Sequence, residues 1–269
     1  MAFIIALVFL VVILIIGWLG LRFKPKAFPA YPQRTPSLDS IDLPEDLPAP
    51  VTRYYQAIMG DRVPIIKSAI LTGSATLRVF GLRFPSRFRI THHAGRDYRH
   101  YIEVTVFGRP IMRVNERYRD GRARMELPFG TVENEPKIDM AANLGLWAES
   151  IWLPSIFLTD PRVRWEVVDE TTARLRVPFG EEEDTLTITF DPETGLIRTM
   201  EAMRYRDAGD EAKILWRSEP LGWRRCHGIA IPSPASLTWM DQRIPWSIWT
   251  IDEVTYNVDV SEYIRARGL

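Results

Sequence analysis

The residues with the most chemical promise sit in Trp147-Ala-Glu-Ser-Ile-Trp-Leu-Pro154. Two tryptophans flank one carboxylate, Glu149, in a segment of helical spacing. Such a helix can carry an aromatic-walled pocket with a single acid whose proton affinity rises on burial. On this reading Leu144, Trp147, Glu149, Ile151 and Trp152 line a ligand pocket. The plainer reading makes them a core helix, with Glu149 bonded to a backbone amide or an arginine. A second cluster is Thr91-His-His-Ala-Gly-Arg-Asp-Tyr-Arg-His100. Neighbouring histidines on a strand point to opposite faces, so His92 and His93 do not share a site easily. If Gly95-Arg96 is a turn, one of them faces His100 across a hairpin. A metal would then want a third ligand, with Asp97 and Glu103 the nearest carboxylates in sequence. The spacing is not diagnostic. It favours exposed strand and turn histidines, and leaves His93 and His100 only as weak metal candidates.

Other chemistries find no support. The acidic run Glu181–Asp184 lacks the alternating oxygen ligands of a calcium loop and reads as a solvated hairpin tip. No G-x-S-x-G elbow surrounds any serine, and neither G-x-G-x-x-G nor G-x-x-x-x-G-K-[ST] occurs. Cys226 is the single cysteine, so no intrachain disulfide forms, and its neighbour His227 does not make it a thiol catalyst. Lys plus Arg equals Asp plus Glu at 34 each, which argues against nucleic-acid binding. No catalytic residue and no cofactor is assigned.

The elements that must position these groups are mostly strands. Ile102, Val104 and Val106 alternate with polar residues, as do Ala173, Leu175 and Val177, and Leu186, Ile188 and Phe190. Further strands are expected at 69–80, 84–92, 111–118, 163–168, 195–203, 213–218, 235–241 and 247–256. Asp191-Pro-Glu-Thr-Gly195 and Arg119-Asp120-Gly121 carry hairpin-turn chemistry. The fold class is mainly β: one large curved antiparallel sheet, half-barrel or barrel-like. A lone helix over 139–152 packs on it, with Leu144, Trp147, Ala148 and Ile151 on one stripe, and Pro154 stops it. A short helix over 51–59 precedes the strands.

Several boxes together resemble the family DUF6544 (also met as DUF6920), bacterial membrane-anchored proteins of unknown function. They are Leu47-Pro-Ala-Pro-Val51 with Arg53-Tyr54, then Trp147-x-Glu149-Ser150-x-Trp152-x-Pro154. Arg164-Trp165-Glu166 and Asp169-x-Thr171-x-Ala173-Arg174 follow. The likeness spans roughly residues 45–257 and implies no activity, substrate or catalytic residue. A looser resemblance, at fold level, is to the lipoprotein-carrier-like half-barrels of bacterial envelopes.

Residues 2–21, AFIIALVFLVVILIIGWLGL, are one uncharged apolar run. As a helix it spans about 30 Å, the thickness of a bilayer's hydrocarbon core. Nothing basic precedes it in the side chains and no small-x-small cleavage pattern follows, so it reads as an uncleaved transmembrane helix rather than a signal peptide. Arg22, Lys24, Lys26 and Arg34 follow the run, so the positive-inside rule leans the domain toward the cytoplasm. The envelope likeness would place it outside. Residues 22–50 hold seven prolines and read as an extended juxtamembrane spacer, leaving 51–269 as a single domain. The expectation is a single-pass protein of the bacterial cell membrane whose β-rich module binds a lipid or other hydrophobic ligand near the bilayer. The alternatives are a scaffold for a membrane-protein partner, and an enzyme using Glu149 or the His92/His93/His100 region.

Overall fold

A computed structural model describes residues 1–266. Thirteen strands form one antiparallel sheet, and its layout follows from hairpins closed by glycine turns. The strands before the central helix are Ser68–Val79 (β3), Leu82–His93 (β4), Asp97–Val106 (β5), Arg109–Arg119 (β6), Arg122–Leu127 (β7) and Gly130–Glu133 (β8). Ser40–Asp42 (β1) and Arg62–Pro64 (β2) pair separately, earlier in the chain. After the helix come Arg164–Val167 (β9), Thr172–Phe179 (β10), Glu182–Phe190 (β11), Ile197–Arg204 (β12) and Ile214–Pro220 (β13). Trp223–Cys226 (β14) and Ile229–Pro232 (β15) form a small excursion, followed by Ala235–Trp239 (β16) and Ile244–Tyr256 (β17). The order in the sheet is β8-β7-β6-β5-β4-β3-β17-β16-β13-β12-β11-β10-β9. The last strand, β17, therefore joins two wings: β3–β8 on one side and β9–β13 with β16 on the other.

Close approach at that seam depends on Gly73. A Cβ there would lie 2.0 Å from the Thr250 carbonyl oxygen and 2.8 Å from the Phe88 ring. Beside it β17 carries a bulge between Ile251 and Glu253, and Phe88 packs edge-on against Trp249 at 4.9 Å.

Among the described residues five α-helices accompany the sheet: Ala2–Gly20 (α1), Ala49–Met59 (α2), Pro136–Glu149 (α3), Ile156–Thr159 (α4) and Ser261–Arg265 (α5). The helix expected over 139–152 begins earlier, at Pro136, where a missing N–H costs nothing in the first turn. It ends as α-helix at Glu149, tightening into a 3₁₀ turn over Ser150–Trp152. Helix α3 is buried almost all round, as expected of a helix lying between two wings of a curved sheet. Asn143 ties it to both. Its Oδ1 accepts from the Tyr118 hydroxyl on β6 at 3.2 Å, and its Nδ2 donates to Asp184 on β11 at 3.0 Å. Asp184 is thus buried, unlike its exposed neighbours Glu181–Glu183 in the tip expected to be solvated.

The core fills most of the space between α3 and the sheet. Ala173, Leu175, Val177, Leu186 and Ile188 are fully buried there. Helix α2 closes one end, with Tyr54 against Phe190 and Trp223, and the Tyr55 hydroxyl donating to Pro154 O at 2.8 Å.

The proline-rich segment is extended, but it is not a free-standing spacer. It lies along the sheet's outer face. Phe28 is buried against Tyr101 and beneath the Arg87 guanidinium. Arg87 and Arg89 donate to the carbonyls of Lys26 and Pro29 at 2.8 and 2.7 Å. Its few apolar side chains find a partner in the alkyl and guanidinium surface of strand arginines, so it straps down rather than extending into solvent.

Candidate functional site

The β4–β5 hairpin sets the site's geometry. Gly95 takes the left-handed turn position, and the register pairs His92 with Tyr98 and Ile90 with His100. With period two, His92, Tyr98, His100 and Ile102 all face α3, while His93 points away and lies 3.5 Å from Asp97. The expectation of exposed histidines is therefore overturned for His92 and His100, which are buried, and holds for the half-exposed His93. The weak metal pair His93/His100 becomes His92/His100. The third group is neither Asp97 nor Glu103, but Glu149 from the helix.

Glu149 Oε2 accepts from His92 Nε2 at 2.9 Å and from His100 Nε2 at 2.7 Å. This replaces the backbone or arginine partner expected from sequence. Its position explains the bond: as the last α-helical residue of α3, Glu149 projects onto the β4–β5 face. Glu116 on β6 sits opposite His100 in register, with Oε2 3.7 Å from His100 Nδ1. The Tyr98 hydroxyl donates to Glu116, and the Tyr98 ring stacks on His100 at 4.4 Å.

Charge follows geometry. Burial alone would lower the His100 pKa, but the Glu149 and Glu116 carboxylates outweigh it and push it up to about 10. Burial would raise Glu149, yet His100 and His92 pull it down to about 2. His92 goes the other way: desolvation dominates and lowers it, so it stays neutral. The result is an imidazolium held between two carboxylates. Among the described residues His92 Nδ1 has no hydrogen-bond partner.

This polar cluster forms one wall of a cavity of about 130 Å³ that is open to solvent at its mouth. The opposite walls are aromatic: Trp152, Trp216, Trp239, Trp246 and Trp249. Arg204 enters from β12, its guanidinium carbon 5.3 Å from the Trp216 ring and 5.6 Å from Trp239. Among the described residues no carboxylate lies within ion-pair distance of it, and its Nε has no partner.

Of the five pocket residues expected from sequence, Glu149, Ile151 and Trp152 line this cavity. Leu144 and Trp147 do not. They are fully buried on other sides of the helix, Trp147 reaching toward the β4–β5 turn at Gly95. Sequence reasoning missed Tyr98, Glu116, Arg204, Trp216, Trp239 and Trp249. The cue for Tyr98 was its two-residue offset from His100. For the others only strand pairing between distant segments supplies the signal.

His92, His100 and Glu149 each offer one ligand atom, all within 4.8 Å of one another, a spread that suits one small divalent cation.

The sequence profile described as "Family of unknown function (DUF6544)" matches residues 37–251. No curated protein matches the chain. A LolA superfamily protein from Nitrosomonas europaea is similar at 8% identity, covering 81% of this chain and 96% of that one, with a TM-score of 0.46. A putative outer membrane lipoprotein-sorting protein domain from Vibrio parahaemolyticus is 8% identical, covering 80% and 92%, with a TM-score of 0.42. A DUF1329 family protein from Desulfovibrio piger is 11% identical, covering 73% and 88%, also at 0.42. At this level the likeness carries no ligand and no activity to this chain.

Proposed function

We propose that this chain, which belongs to the DUF6544 family of unknown function, is a membrane-tethered module that binds an amphipathic, mainly apolar ligand in the tryptophan-walled cavity. The observation that carries the reading is the combination of an open aromatic hollow with the unpaired cation of Arg204 in its wall. Ligand sites are concave, mostly apolar and furnished with few polar groups. About 130 Å³ of space admits part of a chain or one ring, as apolar cavities of similar size do. The rest of the ligand would run out through the mouth. An anionic end against Arg204 gains a charge-assisted bond, while the His100 imidazolium is already matched by carboxylates.

Tethering rests on α1, whose segment Phe3–Gly20 is long and apolar enough to cross a bilayer. Retention of α1 is supported by its join to the body: the Phe107 N–H donates to the Gly20 carbonyl at 2.8 Å. The test is mass spectrometry of organic extracts from full-length protein purified out of native membranes. A stoichiometric amphiphile, depleted in Arg204→Gln, is the expected result. Protein that carries none, and takes up none from added lipid, removes the reading.

A second reading has its own observation, the three convergent ligand atoms of His92, His100 and Glu149. A divalent ion there would replace the Nε2 protons of His92 and His100, with His100 giving up its extra proton and His92 keeping its single proton on Nδ1. Elemental analysis decides it: a metal at one per chain, lost in His92→Ala, supports this reading, and metal-free protein after growth with added zinc ends it.

A further inference from the structure

The end of the sheet nearest α1 carries an apolar feature that the cavity does not use. Because hairpins alternate direction, the β3–β4, β5–β6 and β7–β8 turns all lie at one end, and the β4–β5 and β6–β7 turns at the other. Each turn at the first end presents a phenylalanine: Phe80, Phe107 and Phe129. Phe80 is 90% exposed and Phe129 86% exposed, with Leu82 and Ile111 exposed beside them. The register staggers the tips: the Phe80 turn runs about three residues beyond that of Phe107, and the Phe129 turn stops about five residues short of it. At about 4.8 Å per strand and 3.3 Å per residue they lie on a line oblique to the strands, roughly 30 Å long.

Two of these turns are also strained in a telling way. Phe80 and Gly81 have φ of 50° and 81°, and Phe107 and Gly108 have 51° and 71°. These are mirror-image hairpin turns, whose first position normally takes Asn, Asp or Gly. A bulky residue there is an outlier. The opposite end supplies the internal control. Asp120–Gly121 adopts the same conformation, 51° and 76°, with the usual residue. At Phe80 the ring gains no burial in return.

We propose that this row of phenylalanine tips is a membrane-contacting rim, seated in the interfacial layer of the bilayer that α1 crosses. The proposal rests on reading α1 as a span. Three further observations name a bilayer as the occupant. The middle tip is fused to the end of α1: beyond the Phe107–Gly20 bond, a Cβ on Gly20 would meet Phe107 and Val106 at 2.7 Å, and Phe23 packs on Phe107 at 5.4 Å. The end of α1 is therefore fixed at the middle tip, with Phe80 and Phe129 on either side of it along the oblique row. Arg83 and Arg109, at the start of the return strands β4 and β6, are exposed and suit anionic headgroups. Finally, the β10–β11 tip at the same end of the other wing carries the exposed Glu181 and Glu182, which such headgroups repel. Contact is thus confined to the β3–β8 wing, and the cavity mouth is held close to the lipid surface.

The experiment uses the full chain in nanodiscs of phosphatidylcholine and phosphatidylglycerol. In a Cys226→Ala background, Phe80→Cys, Phe129→Cys, Asp120→Cys and Glu181→Cys each take an environment-sensitive fluorophore. Nitroxide-labelled lipid is the quencher. Quenching at positions 80 and 129 several-fold above that at 120 and 181 is the expected result. Equal quenching at all four positions overturns the proposal. So does a blue-shifted but unquenched label at 80 and 129, which would assign the tips to a contact between copies. Alkaline carbonate extraction of the same full-length chain from membranes separates the two failures. Release into the soluble fraction removes the span and the rim together, whereas a retained chain with unquenched tips removes the rim alone.

Discussion

The two wings beneath α3 are covered by the same helix but differ in polarity: one buries the Asp184 carboxylate among apolar residues, whereas the other adds a charged network to Ile90, Ile102 and Val104. Under the β10–β12 wing lie Ala173, Leu175, Val177, Leu186, Ile188 and Met200, all apolar and at most 1% exposed. Under the β4–β6 wing lie His92, Tyr98, His100 and Glu116, joined to Glu149. Apolar burial stabilises without directional requirements, at roughly 25 cal/mol per Å². Buried charge costs desolvation and holds only when every partner is present. One wing therefore maintains the fold. The other is a polar arrangement of the kind that well-packed apolar residues often replace without loss of stability.

The largest effect is expected at Glu149. Glu149→Ala leaves the His100 imidazolium with only Glu116 at 3.7 Å, and removes the acceptor of both histidines. A loss of about 3–5 kcal/mol is expected, the range for a broken buried ion pair, and chemical denaturation measures it. Leu175→Ala on the apolar wing should cost about 2–5 kcal/mol by cavity formation. It should leave ligand content per folded molecule unchanged in the extraction assay. If both variants lose ligand equally, the division between wings is wrong.

A smaller effect sharpens the contrast through pH. His100 is raised from 6.5 to about 10, so its contribution is complete below about pH 6.5 and is lost as pH rises toward 10. Glu149 is lowered from 4.5 to about 2, so its contribution is complete above about pH 4.5 and is lost as pH falls toward 2. His92 is lowered by burial, so below pH 6.5 the unfolded chain gains a proton that the native state refuses. The network is then strongest just below pH 6.5. Between about pH 6.5 and 9 the native state should lose on the order of 2–3 kcal/mol from this source. Denaturation midpoints across that range should fall in the native protein and stay flatter in Glu149→Gln, where His100 has lost its nearer carboxylate. Parallel slopes would show that His100 is not charged.

Legibility differs along the same division. The apolar wing was plain in sequence, because Ala173-x-Leu175-x-Val177 and Leu186-x-Ile188-x-Phe190 alternate cleanly and each side chain's inward face needs no partner to declare it. Strands β7 and β8 were missed: Arg122–Leu127 does alternate, but it is only six residues long and half its positions are charged, and β8 at the sheet's edge is four residues long with little apolar content. Glu149 and His100 were singled out by type, but their partnership was not. Glu149 lies 49 residues from His100 and meets it only because α3 packs across the β4–β5 hairpin.

Local properties of the chain were thus settled by composition and spacing: the apolar run of α1, the β alternation, the turns at Asp120–Gly121 and Asp191–Gly195, and the stop at Pro154. Each depends on neighbours a few residues away, where backbone sterics and periodicity act. Tertiary structure alone decided that His92 rather than His93 joins His100, that Glu116 and Arg204 enter the site, and that Trp216, Trp239 and Trp249 wall it. It also laid the proline-rich segment on the sheet and brought the Phe107 tip against the end of α1. The physical reason is register: strands distant in sequence bring side chains together only through pairing across the whole sheet, and no local pattern encodes which distant residue will be opposite.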